Sequence, residues 1–205
     1  MMRKIVGLAV AAMATFAFAG SAAAQETGTP VFKSPYRSFA SSEYGATFSD
    51  PGGASWALEG FYGYGRDRWD IGLRAGLVDY SDETGILLGG SARTRVLQSS
   101  ESFPLDGALT LGVGAQFSDD FTFVMIPIGV SLGRRILLEG SETSFVPYLH
   151  PIVVPILGDD IGDDVQLALG LGVDIKFSRN FDIRVSGAIG DALYEGISIG
   201  LAFIR

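Results

Sequence analysis

The sequence predicts an all-β fold: an antiparallel, up-and-down transmembrane β-barrel of about eight to ten strands that follows a cleaved signal peptide. Three observations predict it. Residues 165–177, VQLALGLGVDIKF, alternate without a break, and a period of two marks a strand with one apolar and one polar face. The apolar face is a wall of Val165, Leu167, Leu169, Leu171, Val173, Ile175 and Phe177, whereas the other face carries mostly Gly, Ala and single charges. A water-soluble barrel keeps its bulk inside, so this distribution fits the reverse arrangement, bulk towards lipid and small or paired polar groups towards the lumen. Finally, past the N-terminus no apolar run is long enough for a membrane helix. A closed barrel is the other structure that satisfies its backbone in lipid.

The N-terminus reads as a secretory signal peptide over residues 1–24. Arg3 and Lys4 precede an apolar run, and Ala22, Ala23 and Ala24 precede Gln25 as a small-residue cleavage site. Removing this segment, which carries two bases and no acid, leaves 181 residues and takes the formal charge from −8 to −10. Residues 25–37, QETGTPVFKSPYR, contain two prolines and no period, and are expected to form a flexible periplasmic lead-in.

Ten candidate strands make up the barrel domain, residues 38–205. Residues 38–48 set Tyr44, Ala46 and Phe48 against Glu43, Gly45 and Thr47, before the turn signal Asp50-Pro51-Gly52-Gly53. In 55–64, Trp56, Leu58, Tyr62 and Tyr64 oppose Ala57, Glu59 and Gly63; in 69–80, Ile71, Leu73 and Leu77 oppose Asp70, Arg74 and Gly76. Residues 85–97 place Ile86, Leu88 and Val96 against Ser91, Arg93 and Arg95, and 107–117 place Leu109, Val113 and Phe117 against Thr110, Gly114 and Gln116. Residues 121–135 alternate Ile126, Ile128 and Val130 with Gly129, Ser131 and Arg135. Residues 145–157 are the doubtful strand. Pro147, Pro151 and Pro155 recur every fourth residue, and proline cannot donate to a ladder, so a bulge, a seam or a shortened strand is expected. Residues 165–177, 181–189 (Phe181, Ile183 and Val185 against Asp182, Arg184 and Ser186) and 194–205 complete the set. If the first strand and the proline-rich strand do not both span, the count falls to eight. Aromatic residues bracket three turns, Tyr64 with Trp69, Phe117 with Phe121, and Phe177 with Phe181, as expected of an interfacial girdle.

On these residues the chain resembles, over about 38–205, the small outer-membrane β-barrel proteins of Gram-negative bacteria, the OmpA/OmpX-like and porin-like group. In that group the last strand carries an insertion signal. Ser198, Gly200 and Phe203 match it, and Arg205 stands where a terminal aromatic is usual. The resemblance implies export through the periplasm to the outer membrane. It further implies contact with membrane lipid and with the export and barrel-insertion machinery, as a monomer. The expected function is non-enzymatic, either structural or the passage of small solutes through a narrow pore. Two alternatives remain open: a lipid-modifying outer-membrane barrel enzyme, and a soluble periplasmic barrel that binds an apolar ligand.

The lumen-facing charges are Glu59, Asp70, Arg74, Arg93, Arg95, Arg135, Asp174, Lys176, Asp182 and Arg184. Isolated charges in a narrow, low-dielectric interior are costly, so they are expected to pair across strands. A network of that kind is either a structural plug or a charged constriction, and the size of such a barrel favours the plug. The acidic loop formed by Asp159, Asp160, Asp163 and Asp164 offers hard oxygen ligands for calcium. Its spacing is not that of a calcium loop, and solvated loop charge is expected. His150, the single histidine, has no serine two residues away and is expected to be a packed side chain rather than a catalytic base. Gly-rich strings such as 111–114 and 169–172 lie inside strands and precede no helix, so they are not nucleotide loops. The chain has no cysteine, which excludes a lipid-modified cysteine anchor, disulfides, cysteine-based metal sites and cysteine catalysis. Its acidic balance speaks against nucleic acid. No catalytic residue, cofactor site or metal site is expected.

Overall fold

The protein is described by a computed structural model over residues 27–36, 41–81, 83–119, 121–158, 164–190 and 195–205. The expected signal peptide, residues 1–24, lies outside these, as do Asp159, Asp160 and Asp163 of the acidic loop.

Alternation produces strands where it was read. In chain order they are β1 Ser42–Pro51, β2 Trp56–Arg66, β3 Trp69–Asp79, β4 Thr84–Leu97, β5 Asp106–Phe117, β6 Thr122–Met125, β7 Ile128–Gly133 and β8 Ile136–Leu137, then β9 Ser144–Gly158, β10 Asp164–Lys176, β11 Phe181–Gly190 and β12 Gly196–Ile204. Pairing is antiparallel throughout and joins chain neighbours except among β6, β7 and β8, and β1 closes the ring on β12, from Glu43 opposite Ile204 to Pro51 opposite Gly196. The segments β6, β7 and β8 succeed one another down a single wall position beside β9, so the barrel has ten strands in cross-section. β1 begins and β12 finishes at one end, called here the terminal end; the turn 52–55 and the last residues of β3 and β5, Asp79 and Phe117, lie at the far end.

The two faces sort as the alternation requires. Leu73 is 63% exposed on the outer face of β3, and Leu167, Ile197 and Ile199 stand out in the same way, while Glu59 and Asp70 are buried within. A continuous outer coat of large aliphatic groups belongs in lipid. This corrects the soluble-barrel alternative, which needed the aliphatic face inward. At the terminal end Tyr44 stacks on Phe203, which meets Phe181 at a tilt, and Phe177 stands edge-on to Phe181. The girdle expectation fails at Phe121, which turns into the far mouth between Tyr80 and Phe123.

The doubtful proline strand is the longest in the barrel, and its defect appears in its neighbour. The carbonyls of Pro155 and Pro147 accept bonds from Ile126 and Arg134, on the β6–β8 side. In an antiparallel ladder a residue's N–H points the same way as its carbonyl, so all three prolines withhold a donor from that side. That neighbour is broken twice. The break at Ile126–Pro127 faces Pro155 and the break at 134–135 faces Pro147, while the β7 pairing with β9 skips the residues facing Pro151. Sequence alternation through 121–135 predicted one continuous strand; the donors missing from β9, together with Pro127, which can accept from Gly112 but not donate back, accompany the breaks. The inner face of β9 is also unusual, because Tyr148, Ile152, Val154 and Ile156 bury an apolar cluster with Phe32, Phe123 and Met125.

The largest correction concerns the lead-in. Residues 27–36 do not lie outside the barrel but run down the lumen, from Thr27 near the far end to Tyr36 near the terminal end. Thr27, Thr29, Val31, Phe32 and Ser34 are all buried.

Candidate functional site

The candidate site is the filled lumen, built by polar side chains that the period of two aims inward. Glu59 on β2 accepts hydrogen bonds from the hydroxyls of Thr27 (2.7 Å) and Thr29 (2.6 Å). Gln116 on β5 donates to the Thr27 carbonyl at 2.8 Å and is itself held by the Tyr80 hydroxyl. Burial, with the Glu83 carboxylate nearby, pushes the Tyr80 phenol up to about 12, so it stays a donor at any ordinary pH. One level down, Ser186 and Ser198 both donate to the Pro30 carbonyl, at 2.9 and 3.0 Å, and the Phe32 amide donates to Ser186 Oγ.

The centre is ionic. The Lys33 ammonium sits between Glu43 Oε1 (2.5 Å) and Asp70 Oδ2 (2.9 Å). Arg184 grips Glu43 with two bonds, at 3.1 and 2.5 Å, and Arg93 reaches Asp70 at 3.1 Å. Paired guanidinium–carboxylate bonds of this kind are strong and fix geometry. Arg93 also donates to the Lys33 and Ser34 carbonyls, Ser131 donates to the Lys33 carbonyl, and the Ser34 amide donates to Asp174 at 3.1 Å. At the terminal end Arg135 donates to the Tyr36 hydroxyl and stacks on its ring.

The glycine-rich inner face is explained by what it admits. A Cβ on Gly170 would stand 2.4 Å from the Phe32 ring, and one on Gly133 would stand 3.1 Å from Pro35. Close approach of the segment requires glycine at 170, whereas at 133 the Pro147 carbonyl and Tyr148 Cβ of β9, both at 2.9 Å, stand nearer than Pro35. The gaps left among the charges are small, about 40 Å³ between Lys33, Arg74 and His150, enough for little more than one or two waters.

Of the ten charges read from sequence, Glu59 meets Arg74 (3.6 Å), Asp70 meets Arg93, and Asp174 meets Arg184 (3.8 Å). Lys176 stands opposite Asp182 in the β10–β11 register. Arg135 is drawn to Tyr36 and Ser144 rather than to an acid. Arg95 is half-buried beside the irregularity in β4, away from the centre. Sequence reasoning omitted two central groups. Glu43 was on the polar face of the first strand and was legible from its alternation with Tyr44. Lys33 lies in an aperiodic stretch and gave no signal. Of the residues expected to form an insertion signal, Ser198 also faces the lumen, whereas Phe203 joins the aromatic cluster at the terminal end and Gly200 packs on Thr47.

His150 is buried in the lumen, 2.7 Å from Thr110 Oγ1 through Nε2 and edge-on to Phe32 at 5.4 Å. Its Nδ1 has no hydrogen-bond partner among the described residues, so the pair lacks the orienting acid of a hydrolytic triad. Asp164, the described member of the acidic loop, accepts the Val165 amide. No group of three candidate metal ligands occurs among the described residues.

No protein-family model matches the chain, and no curated protein matches it. Solved structures do. The β-domain of the Bordetella autotransporter BrkA is 15% identical, with a TM-score of 0.53, over 80% of this chain and 98% of that one. A bacterial polysaccharide outer-membrane secretin is 14% identical (TM-score 0.49), over 73% of this chain and 56% of that one, so the chain spans little more than half its length. A de novo designed transmembrane β-barrel is 12% identical (TM-score 0.38), over 80% and 96%. At such identities the likeness is one of fold. The fold is that of an outer-membrane-type β-barrel, and nothing ties it to the OmpA/OmpX-like group in particular.

Proposed function

We propose that the protein is a non-enzymatic outer-membrane β-barrel, closed at rest, whose own N-terminal segment plugs the lumen. Exported through the periplasm and placed in the membrane by the insertion machinery that reads its last strand, it serves there as a monomer with a structural role. The single observation that carries this reading is the path of residues 27–36 down the lumen, bonded to the wall at several levels from Gln116 to Arg135. A constriction that passes ions needs a continuous water column, and here the axis is occupied by chain.

Planar-bilayer recording tests it. The protein, extracted from outer membranes and reconstituted, is expected to insert without steady current. A stable ohmic conductance from the native protein would instead make it a pore.

A further inference from the structure

We propose that the lumen is a receptor for an extended peptide, with residues 27–36 as its resident and exchangeable ligand. The proposal rests on the closed-barrel reading above and adds that the closure is a binding equilibrium.

The first support is how the segment is held. Among the described residues its one main-chain to main-chain bond is internal, from the Val31 amide to the Thr29 carbonyl. The wall grips it with side chains alone, and the ring of strands is closed without it. The segment is therefore bound as a ligand is, not as a strand. The second support is charge. Each wall carboxylate that holds the segment also has an arginine of the wall: Glu43 has Arg184, Asp70 has Arg93, Glu59 has Arg74, and Asp174 has Arg184. Arg184 serves both Glu43 and Asp174, so departure of Lys33 leaves these four carboxylates facing three arginines in a wetted lumen, one uncompensated charge rather than four, which lowers the cost of withdrawing the buried ammonium. The third is access. At the far end a vestibule of about 320 Å³, walled by Tyr80, Phe121, Phe123 and Ile156, opens onto Gly28 and Thr29.

The stations define the ligand class. Glu59 takes a pair of hydroxyls, the notch at Gly170 takes an aromatic ring, and Glu43 with Asp70 takes an ammonium. The Ser186, Ser198 and Arg93 bonds go to main-chain atoms and are indifferent to sequence. The fitting ligand is an extended peptide with small hydroxyl residues followed by an aromatic-basic pair, as in Phe32-Lys33.

A tethered ligand competes at an effective concentration of about millimolar, so exchange is read best with the tether's own binding weakened. Lys33→Glu sets a third carboxylate between Glu43 and Asp70. The reconstituted variant is expected to conduct, with mean current raised at least tenfold over the native protein. A synthetic peptide of residues 25–36 is then expected to close it at micromolar concentration, while the same peptide carrying Glu at position 33 and a simple alkylammonium ion both fail. A variant that conducts and that no peptide closes overturns exchange, leaving the plug as a fixed strut and the closed-barrel reading intact. A folded variant that stays silent overturns both, because the wall then closes itself. Closure by the alkylammonium alone also overturns the peptide receptor, reducing it to a cation slot. Should Lys33→Glu prevent insertion, Lys33→Ala, which removes charge and adds none, is recorded with the same peptides.

Discussion

The wall from β1 to β4 and the seam between β6 and β9 solve the same problem with opposite materials. In the first, ladders run unbroken over eight to eleven residue pairs from β1 to β3 and on into β4, and the inner face is mostly acid, base and small residues, with one small apolar cluster of Ala57, Val78 and Leu87. In the second, three prolines withhold donors, the neighbour breaks into pieces, and the inner face is an apolar cluster. The regular wall is held by backbone bonds and grips the plug by charge. The seam gives up backbone bonds and recovers cohesion by packing Tyr148, Ile152 and Ile156 on Phe32 and Met125. Where a ladder cannot be completed, side-chain burial has to supply what hydrogen bonding does not.

The comparison breaks most readily at the charges. Arg184→Met removes the wall's own partner of Glu43 and is expected to destabilise the refolded barrel by about 3 kcal/mol, near the low end for breaking a buried pair because Lys33 still faces the acid. Urea titration in lipid vesicles measures it, and a loss under 1 kcal/mol would mean that the network is hydrated. Next come two glycines on opposite faces. Gly170→Ala drives a methyl into the Phe32 ring, whereas a Cβ on Gly90 meets only Leu73 at 3.8 Å on the lipid side. The first is expected to cost about 1–3 kcal/mol by overpacking and the second no more than about 0.5 kcal/mol; equal costs would show that the ring does not occupy the notch. The smallest effect sharpens the account of the seam. Pro151→Val returns a donor facing β7 and is expected to stabilise by about 0.5–1.5 kcal/mol, and a neutral or harmful result would remove the missing donors as the cause of the broken strand.

Much of the wall was readable because side-chain direction in a strand is a local property. Residues 165–177 announced both faces of β10, and Glu59 with Arg74, Asp70 with Arg93 and Asp174 with Arg184 were all on the polar faces that later met. Pro147, Pro151 and Pro155 announced a seam, but placed it within their own strand rather than in the neighbour. Phe121 was read as a lipid-facing ring and turns into the mouth.

By itself the sequence determined the class of fold, the direction of each face and the identity of most inward charges, because a period of two requires no knowledge of distant residues. Only the tertiary structure decided what fills the lumen. Residues 27–36 have no period, and their partners stand 10 to 168 positions further along the chain, on several separate strands. Their burial depends on where those side chains converge once the ring has closed. Gly170, which looks like a gap in one strand, becomes a notch only when Phe32 lies against it.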